Sequence, residues 1–179
     1  MSRRLTSTSY AFLALVGEGG AAPYDLVDIL RRGGRLYWTT AASHVYAEPK
    51  RLAGMGLLQS HKEPGRTHER TVYELTDAGR EVLLDYLRRP ARFPRIQHEA
   101  ALRVLAGEQL GAEAVLASLE GLAADIEELS GLLDETQPQL EAMPEPKRIY
   151  RRLGQSLARR LVAAHEEWLA EVRATLQAG

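Results

Sequence analysis

The chain of 179 residues contains no cysteine, so it can form neither a disulfide framework nor a thiolate metal site. It also lacks any run of about 18 apolar residues, the length that a membrane-spanning helix requires. Phosphate-binding glycine loops, Gly-x-Ser-x-Gly nucleophile motifs and His-Glu-x-x-His metal motifs are missing as well. These absences argue against a membrane protein and against the common enzyme classes. We expect a cytoplasmic protein that has no cofactor, no metal and no catalytic activity.

The charge of the chain is unevenly distributed along its length. Residues 1–92 contain 14 Lys or Arg against 10 Asp or Glu, which gives +4, whereas residues 93–179 contain 9 against 14, which gives −5. Two prolines in RRPARFP (88–94) interrupt helical hydrogen bonding at the same place. We therefore predict two domains, 1–92 and 93–179, of which the first is suited to binding phosphate.

The first domain shows helix signals in three successive segments. Ser/Thr caps and glycine stops delimit TSTSYAFLALVGEG (6–19), and PYDLVDILRRGG (23–34) has a proline near its first turn and a glycine stop. A third helix is predicted after Trp38 and ends at Gly54 or Gly56.

A hairpin and a fourth helix follow. Hydrophobic alternation at 57–62 and 71–75, on either side of Pro64 and Gly65, predicts two antiparallel strands. Thr76 caps a last helix, for which we predict an apolar face made of Val82, Leu83, Tyr86 and Leu87. The order helix, helix, helix, hairpin, helix predicts a winged helix-turn-helix, whose third helix lies in the major groove of double-stranded DNA.

Candidate DNA contacts lie on the third helix and on the hairpin, or wing. Val45, Leu52 and Met55 recur at helical spacing and should face the core, which leaves the intervening side chains for the groove. The predicted contacts on or just before this helix are Thr40, Ser43, His44, Tyr46, Ala47, Lys50 and Arg51. Those on the wing are Lys62, Arg66, Thr67, His68 and Arg70. The alternatives are a solvated helix face and a solvated β-turn, and Tyr46 could also pack into the core.

Pro49 stands inside the predicted recognition helix and cannot donate a hydrogen bond to Val45. A proline in a helix interior costs about 3 kcal/mol relative to alanine. We therefore expect either a kink held by tertiary packing or a helix split into two pieces, with Lys50 and Arg51 beyond the break.

Three segments resemble the PadR family of bacterial transcriptional regulators: Tyr24-Asp-Leu, SHVYAEPKRLAGMGLL (43–58) and VYELTDAGREVL (72–83). The likeness spans about residues 8–88. It implies a winged helix-turn-helix dimer that binds pseudo-palindromic promoter DNA, generally as a repressor, and is often released by a small molecule. The resemblance also implies that Tyr24 contacts DNA. Where the family commonly has Gly-Tyr at the start of the second helix, this chain has Pro23 and Tyr24.

The second domain is predicted to be a helical dimerisation domain. Val115, Leu119, Leu122, Ile126, Leu129 and Leu133 are spaced as a heptad seam, and a second long helix begins near Lys147 after breaks at Pro138, Pro144 and Pro146. The predicted homodimer contacts are Leu119, Leu122, Ile126, Leu129, Leu133, Leu157, Leu161, Trp168 and Val172. An intramolecular bundle is the alternative. The segment AHEEWL (164–169) resembles the larger PadR subgroup, which has a long helical C-terminal domain.

The aromatic residues suggest where a small-molecule effector would bind, namely Tyr10, Trp38, His165 and Trp168. Aromatic side chains at helical spacing also commonly form cores, which is the alternative for each. The function predicted overall is that of a sequence-specific DNA-binding regulator. The alternative function is a winged-helix module that binds proteins only; its binding should hardly respond to salt, whereas DNA binding should weaken steeply.

Overall fold

The computed structural model describes residues 4–17, 19–31, 36–37, 42–65 and 69–178. The chain divides into two compact units, Met1–Phe93 and Pro94–Gly179. The described part of the first unit contains four helices and one hairpin, in the order predicted for a winged helix-turn-helix. Their bounds are α1 Ser7–Val16, α2 Pro23–Arg31, α3 Ala42–Gly54, β1 Leu58–Glu63, β2 Arg70–Leu75 and α4 Asp77–Leu87.

Local capping explains where α1 begins and ends. The hydroxyl oxygen of Thr6 accepts the backbone N–H of Ser9, while the Ser9 hydroxyl oxygen accepts the backbone N–H of Thr6 at 2.9 Å. This reciprocal pair satisfies donors that the first turn of a helix otherwise leaves free. At the other end Gly17 has a φ of 57°, which a glycine adopts without a steric penalty.

The core of the first unit is apolar and is built from all of its elements. The inner faces of α1, α2 and α3 pack against the hairpin and against Leu83 of α4. Leu87, which we predicted on the apolar face of α4, is instead exposed, because it lies in the last turn of that helix. The buried residues are Phe12, Leu13, Val16, Ala21, Leu26, Leu30, Val45, Leu52, Leu57, Leu58, Tyr73 and Leu83.

The hairpin is antiparallel, with Leu58 opposite Leu75 and Glu63 opposite Arg70. Ala21, just before α2, forms a short bridge with Tyr73, in which the two backbones exchange hydrogen bonds of 2.9 and 3.0 Å. This exchange attaches the base of the wing to the helical part of the unit.

The recognition helix α3 is not split at Pro49. It runs as one helix from Ala42 to Gly54 with Pro49 inside it, so tertiary packing maintains the helix. The Pro49 side chain is fully buried, and Val45 and Leu52 beside it are buried as predicted. Apolar burial therefore offsets the backbone hydrogen bond that proline cannot make.

The second unit is entirely helical in its described residues. It contains α5 Glu99–Leu105, α6 Gly107–Leu110, α7 Ala112–Ser118, α8 Glu120–Glu141 and α9 Lys147–Gln177. Pro138 was predicted to break the chain, but it lies within α8, which continues to Glu141. The break comes at Pro144 and Pro146 as predicted, and α9 follows directly.

The predicted heptad seam packs within one chain. Helix α9 packs on both α7 and α8, and this contact buries Leu119, Ile126 and Leu133. Gln155 and Arg159 of α9 donate hydrogen bonds to the carbonyl oxygen of Leu133, at 3.0 and 3.1 Å, which fastens the two long helices together. The intramolecular alternative is therefore correct for the seam.

Candidate functional site

The recognition helix exposes the side chains that were predicted to face DNA. His44, Ala47 and Lys50 are exposed, and Tyr46 is 56% exposed rather than packed into the core. Lys50 has no ion pair within the described part of the chain. Ser43 lies in the first turn of α3, and its side chain is outside the described residues, as is the whole of Thr40. One face of α3 is thus buried and the opposite face is open to a ligand.

Arg51 differs from its predicted place on the DNA-facing surface. Its guanidinium pairs with both carboxylate oxygens of Glu48, at 2.6 and 2.8 Å, and donates to the Ser9 hydroxyl oxygen at 3.0 Å. The Arg51 and Glu48 side chains are only 21% and 16% exposed. The hydrogen bond from Arg51 outweighs burial and lowers the pKa of Glu48, so the carboxylate stays ionised at neutral pH. Arg51 therefore connects α3 to the capping box of α1.

The wing carries one unpaired and one paired cation among its described residues. Lys62 is exposed and makes no ion pair there. Arg70 instead donates to Glu63 Oε2 at 3.0 Å and to Asp25 Oδ2 of α2 at 3.4 Å. The wing residues Arg66, Thr67 and His68, also predicted to contact DNA, lie outside the described residues. Tyr24, next to Asp25, is 76% exposed.

A pocket of about 420 Å³ lies between α5 and α9 in the second unit. The His98 ring stacks on His165 with 4.9 Å between centroids, and it meets Trp168 edge to face at 5.6 Å. Two of the predicted effector residues, His165 and Trp168, are therefore together. The remaining lining is apolar and comes from Ala101, Val104, Leu105 and Ala164.

Each of the two histidines in the pocket forms a hydrogen bond with the backbone through its Nδ1 atom. His98 Nδ1 accepts the backbone N–H of Ala101 at 3.1 Å, which places the proton of the neutral ring on Nε2. His165 Nδ1 lies 2.6 Å from the Leu161 carbonyl oxygen, so this nitrogen carries a proton and donates it. Burial, and secondarily the charge of His165, lowers the pKa of His98 and keeps it neutral at pH 7. The Nε2 atoms of both rings are left for a ligand, and that of His98 carries a proton that it can donate.

The structure does not bring the other two predicted effector residues, Tyr10 and Trp38, into the described lining of this pocket. Tyr10 belongs to the first unit, where its ring stacks on Tyr86 at a centroid distance of 3.8 Å. Trp38 is outside the described residues. Sequence reasoning passed over His98 as a site residue because it looked like ordinary helix surface. One feature of the sequence could have indicated its role: His98 directly precedes the helix that begins at Glu99, a position from which a side chain can cap the helix.

Several residues predicted at a dimer interface are unavailable to a partner. Leu119, Ile126, Leu133 and Val172 are buried inside one chain, because α9 covers the seam. Leu122, Leu129, Leu161 and Trp168 are partly buried. Among the predicted contacts, Leu157 is exposed. It belongs to an exposed stripe of α9, which the sequence pattern alone did not distinguish from the buried face of that helix. We name this surface the open α9 face, and it consists of Tyr150, Leu153 and Leu157.

Two further classes of site are absent from the described residues. No group of three His, Asp or Glu side chains there is arranged to hold a metal ion. No described helix combines the length and the hydropathy needed to cross a bilayer.

Comparison with known proteins gives a consistent match. Residues 12–85 match the model of the Transcriptional regulator PadR-like family. The Negative transcriptional regulator PadR of Bacillus subtilis (strain 168) is 30% identical over 86 residues, which cover 48% of this chain and 47% of that protein. The match thus spans about half the length of this curated relative. The name of this relative is that of a regulator rather than an enzyme, in agreement with the sequence.

Two solved structures of Bacillus subtilis PadR have the same fold over nearly the whole chain. The complex with operator DNA has a TM-score of 0.73 at 20% identity and covers 96% of this chain and 98% of its own. The complex with p-coumaric acid has a TM-score of 0.64 at 21% identity and covers 92% of this chain and 98% of its own. At this identity the likeness establishes the fold, including the helical second unit.

Proposed function

Because this chain carries a PadR-like domain in its N-terminal unit, we propose that it is a transcriptional regulator that acts in the cytoplasm by binding a specific double-stranded DNA site. The observation that carries the proposal is the open face of α3, where Tyr46, Ala47 and Lys50 project from a helix whose other face is buried. A winged helix-turn-helix places this face in the major groove.

The described lysine and arginine side chains of α3 and the wing differ in whether an internal partner holds them. Lys50 and Lys62 are exposed without an ion pair among the described residues, so each can neutralise a phosphate without first breaking an internal contact. Arg51 is held by Glu48 and Ser9, and we remove it from the contact set. The residues retained as contacts besides these lysines are Tyr24, Thr40, Ser43, His44, Tyr46, Ala47, Arg66, Thr67 and His68.

The first test is selection of bound sequences from a random duplex pool by the purified protein. An enriched inverted repeat is expected, because two recognition helices of a dimer would meet major grooves about 34 Å apart. Folded protein that enriches no sequence at low salt would contradict a role in sequence-specific DNA binding. It would favour the alternative of a winged-helix module that binds only proteins.

The enriched site then allows a quantitative prediction for the lysines. In Lys50→Ala and Lys62→Ala, the slope of log affinity against log salt should fall by about 0.9 for each phosphate of the duplex that the variant no longer neutralises. Lys147→Ala is the matched control, since Lys147 is the third lysine of the chain and lies in the second unit. Equal slopes in all three variants, measured by fluorescence anisotropy, would remove Lys50 and Lys62 from the contact set.

Homodimerisation is part of the proposal, and the open α9 face is its proposed contact. Leu153 and Leu157 are 63% and 50% exposed, and Tyr150 extends the same stripe of α9. These residues are spaced three and four apart, as in a heptad seam, while a different face of α9 covers α7 and α8. A twofold contact of this stripe with its copy would remove it from water and join two DNA-binding units.

Release by a small molecule completes the proposal, and the pocket of His98, His165 and Trp168 is the proposed binding site. Its apolar walls suit a flat ring, and the Nε2 atoms of the two histidines suit a polar group carried by that ring. The complex of Bacillus subtilis PadR with p-coumaric acid makes that compound the first probe.

Calorimetric titration with p-coumaric acid should give saturable heat for the unmodified protein. In Trp168→Ala the affinity should fall about tenfold or more, because the variant loses an aromatic wall worth about 1.5 kcal/mol. Tyr24→Ala removes an exposed aromatic side chain from the first unit and should leave the titration unchanged. Equal affinity in Trp168→Ala and in the unmodified protein would exclude this pocket.

A further inference from the structure

Arg70 is held at the outer end of the wing by carboxylates from two different elements. Its guanidinium donates to Glu63, its direct partner across the hairpin, at 3.0 Å. It also reaches Asp25 in the first turn of α2, 45 residues away in sequence, at 3.4 Å. The same Asp25 oxygen accepts the backbone N–H of Ala22 at 3.0 Å, so Asp25 is itself held in place.

This contact is the outer of two attachments between the wing and the segment that leads into α2. The inner attachment is the backbone exchange between Ala21 and Tyr73. Arg70 lies three residues before Tyr73 on β2, nearer the tip of the wing, which is a distance of about 10 Å at 3.3 Å per residue. A ribbon held at one point can pivot about it, whereas two points separated by this distance fix its direction.

The charges around Arg70 oppose a role as a phosphate contact. Two carboxylates surround one guanidinium, and His61 adds a further contact to Glu63 at 3.0 Å. Hydrogen bonds from His61 and Arg70 lower the pKa of Glu63, so this carboxylate remains charged. A phosphate that approached Arg70 would have to displace both carboxylates and would be repelled by them.

We propose that Arg70 is a positioning residue, which fixes the direction of the wing against α2 and thereby sets where Lys62 meets the DNA backbone. This inference rests on the proposed DNA-binding function. Arg70 and Asp25 together orient the wing. Arg70 then does not touch DNA, in contrast to the expectation from the sequence.

The two roles of Arg70 predict opposite effects for Asp25→Asn. If Arg70 contacted phosphate, removal of a competing negative charge would strengthen DNA binding. If Arg70 positions the wing, loss of the carboxylate should weaken binding about threefold to tenfold, as in Arg70→Ala. The asparagine carbonyl oxygen can still accept the Ala22 N–H, so the first turn of α2 keeps its cap, but the negative charge that attracts Arg70 is lost.

The salt dependence of affinity and a double-mutant cycle complete this test. The double variant Arg70→Ala/Lys62→Ala should have the salt slope of Lys62→Ala alone, because a positioning arginine neutralises no phosphate itself. The double variant Asp25→Asn/Arg70→Ala should bind no more weakly than either single variant, because both substitutions remove the same ion pair. Tighter binding by Asp25→Asn, or a slope in Arg70→Ala/Lys62→Ala lower than that of Lys62→Ala, would overturn the proposal.

A second measurement needs no DNA and separates failure of this inference from failure of the proposed function. Because the chain has no cysteine, spin labels can be attached at Lys62→Cys and Glu81→Cys alone. Both positions are exposed and lie in the first unit. The distance distribution between the labels should broaden on Arg70→Ala while the unfolding midpoint changes little. An unchanged distribution would show that Arg70 does not orient the wing.

Discussion

Replacing Gly79 with alanine is expected to destabilise the protein by about 3 kcal/mol, although alanine is by nature the better helix former. Gly79 lies in the first turn of α4, and a Cβ built there would come 2.0 Å from the backbone oxygen of Leu57. That oxygen accepts the Thr76 N–H at 3.2 Å, and the Thr76 hydroxyl donates to the Gly56 oxygen at 2.7 Å. The conflict is therefore between two backbones that are tied together, and no side-chain rotation relieves it.

Urea unfolding followed by circular dichroism would measure this loss, with Gly131→Ala as the matched control. Gly131 is also inside a helix, and a Cβ there would meet no atom within 4 Å. The control should gain up to about 1 kcal/mol from helix propensity. If Gly79→Ala stabilised the protein to the same extent, the Leu57 backbone could not lie as close to position 79 as the structure places it.

The double substitution Leu153→Glu/Leu157→Glu is expected to convert the protein to monomers and to weaken operator binding on the order of 100-fold. Both side chains are largely exposed in the protomer, so the charges should leave its core intact. In a dimer they would oppose their copies across a dry contact, where like charges are strongly unfavourable. Separated protomers also lose the effective concentration that lets the second half-site bind after the first, which is commonly worth about 100-fold or more.

Sedimentation would report the mass, and helical circular dichroism would verify that the protomer stays folded. Ala163→Glu is the control, because Ala163 is exposed on α9 but lies outside the open α9 face. It should remain dimeric. A double variant that sediments like the unmodified protein would place the dimer contact elsewhere in the chain.

The fold was largely predictable from the sequence because its signals are local. The cap at Thr6, the stop at Gly17, the alternation of the hairpin and the cap at Thr76 each depend on residues a few positions apart. The prolines were harder to interpret. The cost of Pro49 in the chain is local, but the burial that offsets it comes from residues brought together only by folding.

The candidate site was predictable as a surface, although the role of each side chain was not. Helical periodicity identified the open face of α3 correctly, since burial of Val45 and Leu52 leaves Tyr46 and Lys50 outside. The same periodicity placed Arg51 among the DNA contacts. The spacing of residues along α3 carries no information about Ser9 of α1, which lies within hydrogen-bonding distance of the guanidinium. The basic residues of the wing likewise suggested a phosphate contact for Arg70, whereas in the fold Arg70 pairs with Glu63 and Asp25.

The heptad pattern of the second unit illustrates the same limit. The spacing from Val115 to Leu133 requires a partner helix, and it is equally satisfied by a second chain or by the returning helix of the same chain. The packing of α9 on α7 and α8 satisfies the pattern within the same chain and leaves the open α9 face exposed.

The sequence by itself determined the elements of the first unit, their order and most of the faces that turn inward, because each of these follows from neighbours along the chain. The tertiary structure alone decided which cations are free and which are held, which apolar stripe stays open, and why position 79 excludes a side chain. Those properties depend on distances between residues far apart in sequence, such as Asp25 and Arg70, and on the exclusion of water where helices meet.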